Sequence, residues 1–221
     1  MTAVPGRYYV AVAFLAFTAG ATDAISFLGL GGVFSSVMTA NMVLLGLSAA
    51  QHSGALAAHT AAALAGYVTG VLIASRALKT DSSAGQPSRI TITLAAECVI
   101  LAGFTVGWEI QGGHPAGWPQ LALLATAAMA MGGQSATVIS LGIPGISTTF
   151  MTGMLTGVLA DLVTAPGRDL RFRLVLLALL IGGAVASGFA FTEAPRLAPL
   201  VILVPIAGAW LAAARNLCSI T

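Results

Sequence analysis

Residues 31–47 read GGVFSSVMTANMVLLGL, and the polar side chains of this apolar stretch decide how the rest of the chain is interpreted. Four of them, Ser35, Ser36, Thr39 and Asn41, fall within seven residues. Backbone at membrane depth can leave a regular helix only where protein or a water-filled cavity surrounds it, and hydroxyl and amide groups can then serve that cavity. The alternative is packing, because hydroxyl side chains also line ordinary contacts between membrane helices.

The composition places the chain in a membrane. Of the 221 residues, 57% are hydrophobic and 7% are charged, and the mean hydropathy is +0.95. A soluble domain carries about 25% charged residues, which it needs to cover its surface. Apolar runs of about 20 residues recur, each long enough to cross a hydrocarbon core of roughly 30 Å. We therefore predict an all-α, polytopic protein that lies in the lipid bilayer and has no soluble domain.

The charge and the cysteines point to no further kind of partner. The net charge is +2, and no basic run exists beyond GRDLRFR (167–173), so nothing indicates nucleic acid. Cys98 lies in an apolar segment and Cys218 in the C-terminal tail, which is neither a disulfide framework nor a metal signature. We predict no metal and no cofactor.

Eight apolar segments are candidates to cross the membrane. They cover residues 8–30, 33–50, 55–75, 90–109, 119–140, 145–164, 173–192 and 198–217. Eight crossings would divide the nine basic residues five against four, without the cytoplasmic excess that membrane proteins show. If 33–50 and 145–164 instead enter and return on one side, the division becomes eight against one, with Arg196 the exception. The cytoplasmic group is then Arg7, Arg76, Lys79, Arg89, Arg168, Arg171, Arg173 and Arg215. We therefore predict six crossings with both termini cytoplasmic. Segments 33–50 and 145–164 are nevertheless long enough to cross the membrane.

The chain also repeats itself at an offset of 113 residues. At this offset LGLGGVFSSVMTANM (28–42) overlays LGIPGISTTFMTGML (141–155) without a gap. The sequence thus predicts one membrane domain made of two repeats, residues 1–113 and 114–221, with three crossings each. Because three is an odd number, the second repeat must be inverted. Inverted repeats with polar, glycine-interrupted segments at matching positions indicate a transport site near the midplane of the membrane.

Glycine and proline interrupt both polar segments just before their hydroxyl pairs. The helix-breaking residues are Gly29, Gly31, Gly32, Gly142, Pro144 and Gly145. Glycine permits backbone angles that other residues avoid, and proline excludes a regular helix. After each break we expect a broken or re-entrant helix to start on Ser or Thr. Its free N–H groups and partial positive charge would then point at an anionic or carbonyl-bearing solute.

Two stretches that contain these breaks resemble a known family. They are GATDAISFLGLGGVFSSVMTANMVLLG (20–46) and GGQSATVISLGIPGISTTFMTGMLTG (132–157). They resemble the YoaK-like family of bacterial inner-membrane proteins, a domain of unknown function, and the resemblance covers most of the chain. Ala40 departs from the family's usual Met-Thr-Gly-Asn. The resemblance implies a small multi-pass protein of the bacterial inner membrane, and it brings no substrate or reaction.

Two carboxylates fall inside predicted crossings without a basic residue near them in sequence. A carboxylate at membrane depth costs roughly 2.5–3.5 kcal/mol unless it finds a partner or water. Asp23 is the outstanding candidate for a proton site or a substrate contact, and the alternative is a solvated acid near the outer end of its crossing. Glu97 suits a proton relay, with hydrogen bonds to hydroxyls as the alternative. Gln134 lies two residues from the position that mirrors Asp23 and would orient a solute or join helices.

These residues favour a small secondary transporter or permease for a small polar solute, with Asp23 coupling uptake to protons. The predicted solute site comprises Asp23, Ser35, Ser36, Thr39, Asn41, Gln134, Thr148, Thr149 and Thr152. A channel and a structural or regulatory membrane protein are the alternatives, and homo-oligomer formation stays open. The sequence contains no Ser-His-Asp arrangement, no HExxH and no paired Asp motif, so we do not expect an enzyme.

Overall fold

A computed structural model describes residues 5–79, 86–164 and 169–214. The helices are α1 Gly6–Gly29, α2 Met38–Ala50, α3 Gly54–Leu78, α4 Gln86–Ile110, α5 Gly117–Ser140, α6 Met151–Thr164, α7 Leu170–Glu193 and α8 Leu200–Ala214. A 3-10 turn, Pro195–Leu197, joins α7 to α8. The described part of the chain contains no strand, as the all-α prediction requires. Arg168, Arg215, Cys218, both chain ends and the side chain of Arg7 lie outside what is described.

In the described part of the chain, six helices are long and apolar enough to cross a membrane. They are α1, α3, α4, α5, α7 and the stretch Pro195–Ala214 that contains α8. The helices α2 and α6 have 13 and 14 residues. At 1.5 Å per residue each is about 20 Å long, which is short of a hydrocarbon core of about 30 Å. The predicted set of six candidate spans is therefore confirmed by length and composition.

The two short helices begin later than the sequence predicted. Their first residues are Met38 and Met151, and residues 30–37 and 141–150 are irregular. The expectation that each helix starts on Ser or Thr is wrong, because both hydroxyl pairs lie in the irregular loops. We call residues 30–37 the first loop and residues 141–150 the second loop.

Glycines shape both loops, although Gly29 acts differently. Gly31 and Gly32 have φ of 92° and 73°, and Gly142 and Gly145 have φ of 63° and 70°. These are left-handed angles that glycine adopts without steric cost. Gly29 is instead the last residue of α1, where a β-carbon would collide with the ring of Trp108.

Close glycine contacts hold the long helices together in two pairs. A β-carbon at Gly20 of α1 would collide with a backbone carbonyl of α7, and one at Gly183 of α7 would collide with a carbonyl of α1. Gly66 and Gly70 of α3 lie in the same way against carbonyls of α5, and Gly132 of α5 lies against one of α3. Small residues let membrane helices approach to backbone contact. The crossings α1–α7 and α3–α5 form the centre of the fold.

Basic side chains collect at one end of the bundle. Arg89 Nη1 donates to the Lys79 carbonyl at 3.0 Å. One turn further along α4, a hydrogen bond of 3.3 Å joins Thr137, near the end of α5, to Thr93. The second loop follows α5 at this end, and its Gly145 lies against the guanidinium of Arg173. We call this end, which holds Lys79, Arg89 and Arg173, the basic end.

The opposite end is closed by aromatic and amide contacts. Trp108 Nε1 donates to the Pro195 carbonyl at 2.8 Å, and Gln120 Nε2 donates to the Gly29 carbonyl at 3.0 Å. Arg196 lies here, with its Nε 3.4 Å from the Gly112 carbonyl oxygen. Arg196 is therefore separated from the basic end by the length of the bundle.

Candidate solute site

Asp23 binds the first loop through four hydrogen bonds. It lies in α1, six residues before the end of the helix, and is 8% exposed. Its Oδ1 accepts from the backbone N–H of Ser35 at 2.9 Å, from the Ser35 hydroxyl at 2.9 Å and from the backbone N–H of Ser36 at 2.8 Å. Its Oδ2 accepts from the Ser36 hydroxyl at 2.6 Å. The carboxylate is thus enclosed by protein donors instead of being solvated.

These bonds change the role that the sequence suggested for the first loop. Hydrogen bonds to a charged group each contribute about 1.5–3 kcal/mol, which offsets the cost of burying the carboxylate. The N–H groups of Ser35 and Ser36 donate to Asp23. The prediction that these N–H groups are free to bind a solute is therefore wrong. Asn41 completes the attachment, because its Nδ2 donates to the Phe34 carbonyl at 2.6 Å and its Oδ1 accepts from the Phe34 N–H at 3.1 Å.

The second loop is attached to α5 by neutral groups. Gln134 Nε2 donates to the Thr148 hydroxyl at 2.9 Å and to the Leu15 carbonyl of α1 at 3.1 Å. The Thr149 hydroxyl donates to the Ser135 hydroxyl at 2.9 Å. Gln134 therefore joins α5, α1 and the second loop. Ser135 was not among the predicted site residues.

A cavity of about 730 Å³ is lined by both loops. Its volume falls in the range of about 300–1,000 Å³ that is common for small-molecule sites. The hydroxyl groups of the lining come from both halves of the chain and belong to Ser36, Thr39, Tyr67, Ser135, Ser147, Thr149 and Thr152. The cavity also meets the first turn of α6 and the side chain of Arg173.

The predicted residues divide into two groups at this cavity. Ser36, Thr39, Thr149 and Thr152 line it. Asp23, Ser35, Asn41, Gln134 and Thr148 do not line it and instead form the hydrogen bonds that attach the two loops. The sequence pattern thus located both polar segments. It did not distinguish the residues that line the cavity from those that attach the two loops.

Arg173 is the charged residue at the cavity that sequence reasoning missed. Its side chain is 16% exposed, and Nη1 lies 3.0 Å from Asp161 Oδ2 of α6. Its Nε is buried without a hydrogen-bond partner among the described residues. By its sequence position alone, Arg173 belongs among the charges that flank the membrane. The available signal was its position at the first residue of the predicted crossing 173–192.

Glu97 lies apart from this site. It is 3% exposed in α4, and neither carboxylate oxygen has a hydrogen-bond partner among the described residues. It does not line the cavity. The proposed hydrogen bonds to hydroxyls are absent from the described part of the chain. A contact with Asp23 is absent as well, since the described partners of that carboxylate are Ser35 and Ser36.

Comparison with known proteins gives two matches. A family model described as "Protein of unknown function (DUF1275)" matches residues 11–214. The UPF0700 transmembrane protein YoaK of Bacillus subtilis (strain 168) is 36% identical over 148 residues, which is 67% of this chain and 64% of that protein. The matched region thus spans less than two thirds of the relative's own length. No solved structure matches. The YoaK-like resemblance inferred from the motifs is confirmed.

Proposed function

We propose that this chain, which belongs to the DUF1275 family of proteins of unknown function, is a small secondary transporter or permease for a small polar solute. The protein is an integral, multi-pass membrane protein, and its cavity is the observation that carries the proposal. Polar groups inside a membrane protein are costly unless they are paired or serve water or a solute. Residues that carry hydroxyl groups in both loops line a single space of about 730 Å³, which suits a small molecule.

We also propose that the two halves are inverted repeats. The helices α1, α2 and α3 have 24, 13 and 25 residues, and α5, α6 and α7 have 24, 14 and 24. The close contacts between α1 and α7 have counterparts between α5 and α3, as a twofold relation between the halves requires. Gly20 and Gly132 are counterparts in these contacts and lie 112 residues apart. By this register Ser135, and not Ala136 as the offset of 113 predicts, would be the counterpart of Asp23.

The proposed topology has six crossings, with α2 and α6 returning to the side from which they entered. The end of α1 and the beginning of α3 meet at Gln120, which donates to the Gly29 carbonyl and lies 3.0 Å from His59 Nε2. The segment between them therefore leaves and returns at the same end. Cytoplasmic loops carry an excess of Lys and Arg, so the basic end would face the cytoplasm of a bacterial inner membrane, with both termini on that side.

Asp23 would connect protonation to the shape of the cavity. Its Oδ2 holds the hydroxyl of Ser36, and Ser36 lines the cavity. A protonated carboxyl has less acceptor capacity than a carboxylate. Protonation would therefore loosen the first loop at the point where it borders the solute. This arrangement supports proton coupling through Ser36 without direct contact between Asp23 and the solute.

A structural or regulatory role without transport is the second candidate. The observation that favours it is the complete hydrogen bonding of Asp23, since an acid that fixes a loop needs no solute to explain it. In that case the cavity would be filled by lipid or water. No catalytic step belongs to either proposal.

A ligand screen on the purified protein tests the proposed function. We would measure thermal unfolding against a panel of small polar metabolites for the wild type, Thr152→Val and Thr126→Val. Thr152 lines the cavity, whereas the half-buried Thr126 of α5 does not line it and serves as the matched control. A ligand at about 100 times its dissociation constant stabilises the folded state by roughly 2.7 kcal/mol. We expect at least one ligand to stabilise the wild type and Thr126→Val but not Thr152→Val. Equal responses of all three proteins would contradict a solute site in this cavity.

A further inference from the structure

We propose that the cavity is an oxyanion site in which Arg173 and the first turn of α6 bind the carboxylate of a small organic acid. The inference rests on the proposed function, because it assumes that the cavity holds a solute. It adds the charge of that solute and the residue that recognises it.

The guanidinium of Arg173 has unused donors at the cavity. Its Nη1 donates to Asp161, and its Nη2 makes no hydrogen bond with a described residue and is not among the buried unpaired atoms. Nε is buried and has no surface open to the cavity. An arginine presents a planar fork of donors that matches a carboxylate or a phosphate. A carboxylate in the cavity would supply an acceptor for Nη2.

Two glycines, which have no side chain, leave room for the guanidinium beside the second loop. A β-carbon at Gly145 would lie 2.7 Å from Nη2 of Arg173, and one at Gly157 of α6 would lie 3.5 Å from Nη1. A side chain at Gly145 would therefore displace the guanidinium. The loop, α6 and α7 thus hold Arg173 between them at the cavity wall.

The N-terminus of α6 adds positive potential to the same cavity. Residues 151–153 form the first turn of this 14-residue helix and line the cavity together with Arg173. The first N–H groups of a helix lack intrahelical partners, and the helix dipole favours an anion near them. The hydroxyl of Thr152 provides a further donor in this turn.

The charge of the lining favours an anion over a cation. Arg173 is the charged residue among the described residues that line the cavity. The carboxylate of Asp23 lies behind Ser36, with both oxygens bonded to protein donors. Much of the remaining wall is apolar and is formed by Val37, Ile139, Ile146, Phe150 and Met154. One cationic group and apolar walls fit a monocarboxylate with a short apolar body.

The competing interpretation is that Arg173 and Asp161 form only a structural ion pair. The two interpretations differ at Asp161. In an oxyanion site, Asp161→Asn removes a repelling charge and leaves Arg173 a weaker, neutral acceptor, so the affinity for an anion rises. For a structural pair, Asp161→Asn and Arg173→Gln break the same contact and have the same effect.

The test uses the full chain in detergent, with sodium butyrate as the probe and neutral butyramide as its matched control. Thermal unfolding is followed at constant ionic strength for the wild type, Arg173→Gln, Arg173→Lys, Asp161→Asn and the remote control Arg196→Gln. We expect butyrate, and not butyramide, to raise Tm. The half-saturating concentration should rise at least about tenfold in Arg173→Gln, since a hydrogen bond to a charged group is lost. It should fall in Asp161→Asn and stay unchanged in Arg196→Gln.

Two results would overturn the proposal: an unchanged butyrate response in Arg173→Gln, or a response that Asp161→Asn loses as Arg173→Gln does. If Arg173→Gln does not fold, the butyrate responses of Asp161→Asn and Arg173→Lys, compared with that of the wild type, still distinguish an oxyanion site from a structural ion pair. A parallel series in nanodiscs of phosphatidylcholine or phosphatidylglycerol separates the two sources of an oxyanion. An Arg173-dependent response to phosphatidylglycerol without one to butyrate would overturn the small organic acid as the ligand and assign the oxyanion site to a lipid headgroup.

The outcome is distinguishable from that of the proposed function. Arg173-dependent binding of butyrate without uptake of any acid into proteoliposomes would leave the oxyanion site standing and overturn transport. Uptake of a neutral or cationic solute that Arg173→Gln leaves unchanged would overturn the oxyanion site and leave transport standing.

Discussion

Two substitutions of Asp23 should differ sharply in stability. Asp23→Asn keeps the shape of the side chain, so its carbonyl oxygen can accept the three bonds now made by Oδ1, and its amide can donate to the Ser36 hydroxyl. Asp23→Ala keeps none of these bonds. It leaves the backbone N–H groups of Ser35 and Ser36 without the acceptor that they have in the wild type.

The hydrogen bonds set the size of the difference. A buried N–H without an acceptor costs about 1–3 kcal/mol, so the two N–H groups give about 2–6 kcal/mol for Asp23→Ala. In Asp23→Asn four charge-assisted bonds become neutral bonds, each weaker by about 1 kcal/mol. Removing the charge of Asp23 from the membrane interior should stabilise Asp23→Asn by at least about 2.5 kcal/mol. We therefore expect Asp23→Asn to remain within about 2 kcal/mol of the wild type.

Unfolding in mixed micelles with increasing dodecyl sulfate, followed by circular dichroism, measures both free energies. Glu109→Gln, at an exposed acid outside the first loop, is the control for removal of a carboxylate. If Asp23→Ala is as stable as the wild type, or if Asp23→Asn is as unstable as Asp23→Ala, the hydrogen bonds do not hold the loop as described.

Three further substitutions, one of them with a matched control, test the fold. Glu97→Leu should stabilise the protein by about 1–3 kcal/mol, because it removes a buried carboxyl that has no partner among the described residues. A large decrease in the free energy of unfolding in the same assay would instead show that Glu97 has an unrecognised partner. Gly183→Ala should lower the free energy of unfolding by about 1–3 kcal/mol, since the new β-carbon would collide with a backbone carbonyl of α1. A β-carbon at Gly188 in the same helix meets nothing within 4 Å, so Gly188→Ala should leave the free energy of unfolding unchanged. Asn41→Leu should lower Tm and speed amide hydrogen exchange in residues 30–37, and unchanged exchange there would contradict its role in fixing the first loop.

The sequence was sufficient for the six long helices because each contains an apolar run of membrane-spanning length. It also located both polar segments, since glycine and hydroxyl residues within apolar surroundings stand out. The first residues of α2 and α6 were missed by a few positions. Hydrophobicity does not distinguish a helix from a loop whose backbone is bound by side chains elsewhere in the protein.

The contacts of the site depended on tertiary structure that the sequence pattern does not encode. Asp23 and Ser35 are 12 residues apart across a glycine break, so no helical periodicity relates them. At the loop offset of 113 the position that mirrors Asp23 is Ala136, whereas the 112-residue spacing of the helix contacts would make it Ser135, and the sequence pattern does not select between the two. Arg173 had the sequence character of a membrane-flanking charge, and only the fold brings it to Gly145 and the cavity.

Solute uptake into proteoliposomes tests the central claim most directly. The full chain, Thr152→Val and Thr126→Val would be reconstituted and supplied with radiolabelled small organic acids under an imposed proton gradient. A transporter that uses the described cavity predicts uptake by the wild type and by Thr126→Val, and strongly reduced uptake by Thr152→Val. Folded wild-type protein that moves none of these solutes, or equal uptake by all three proteins, would contradict it.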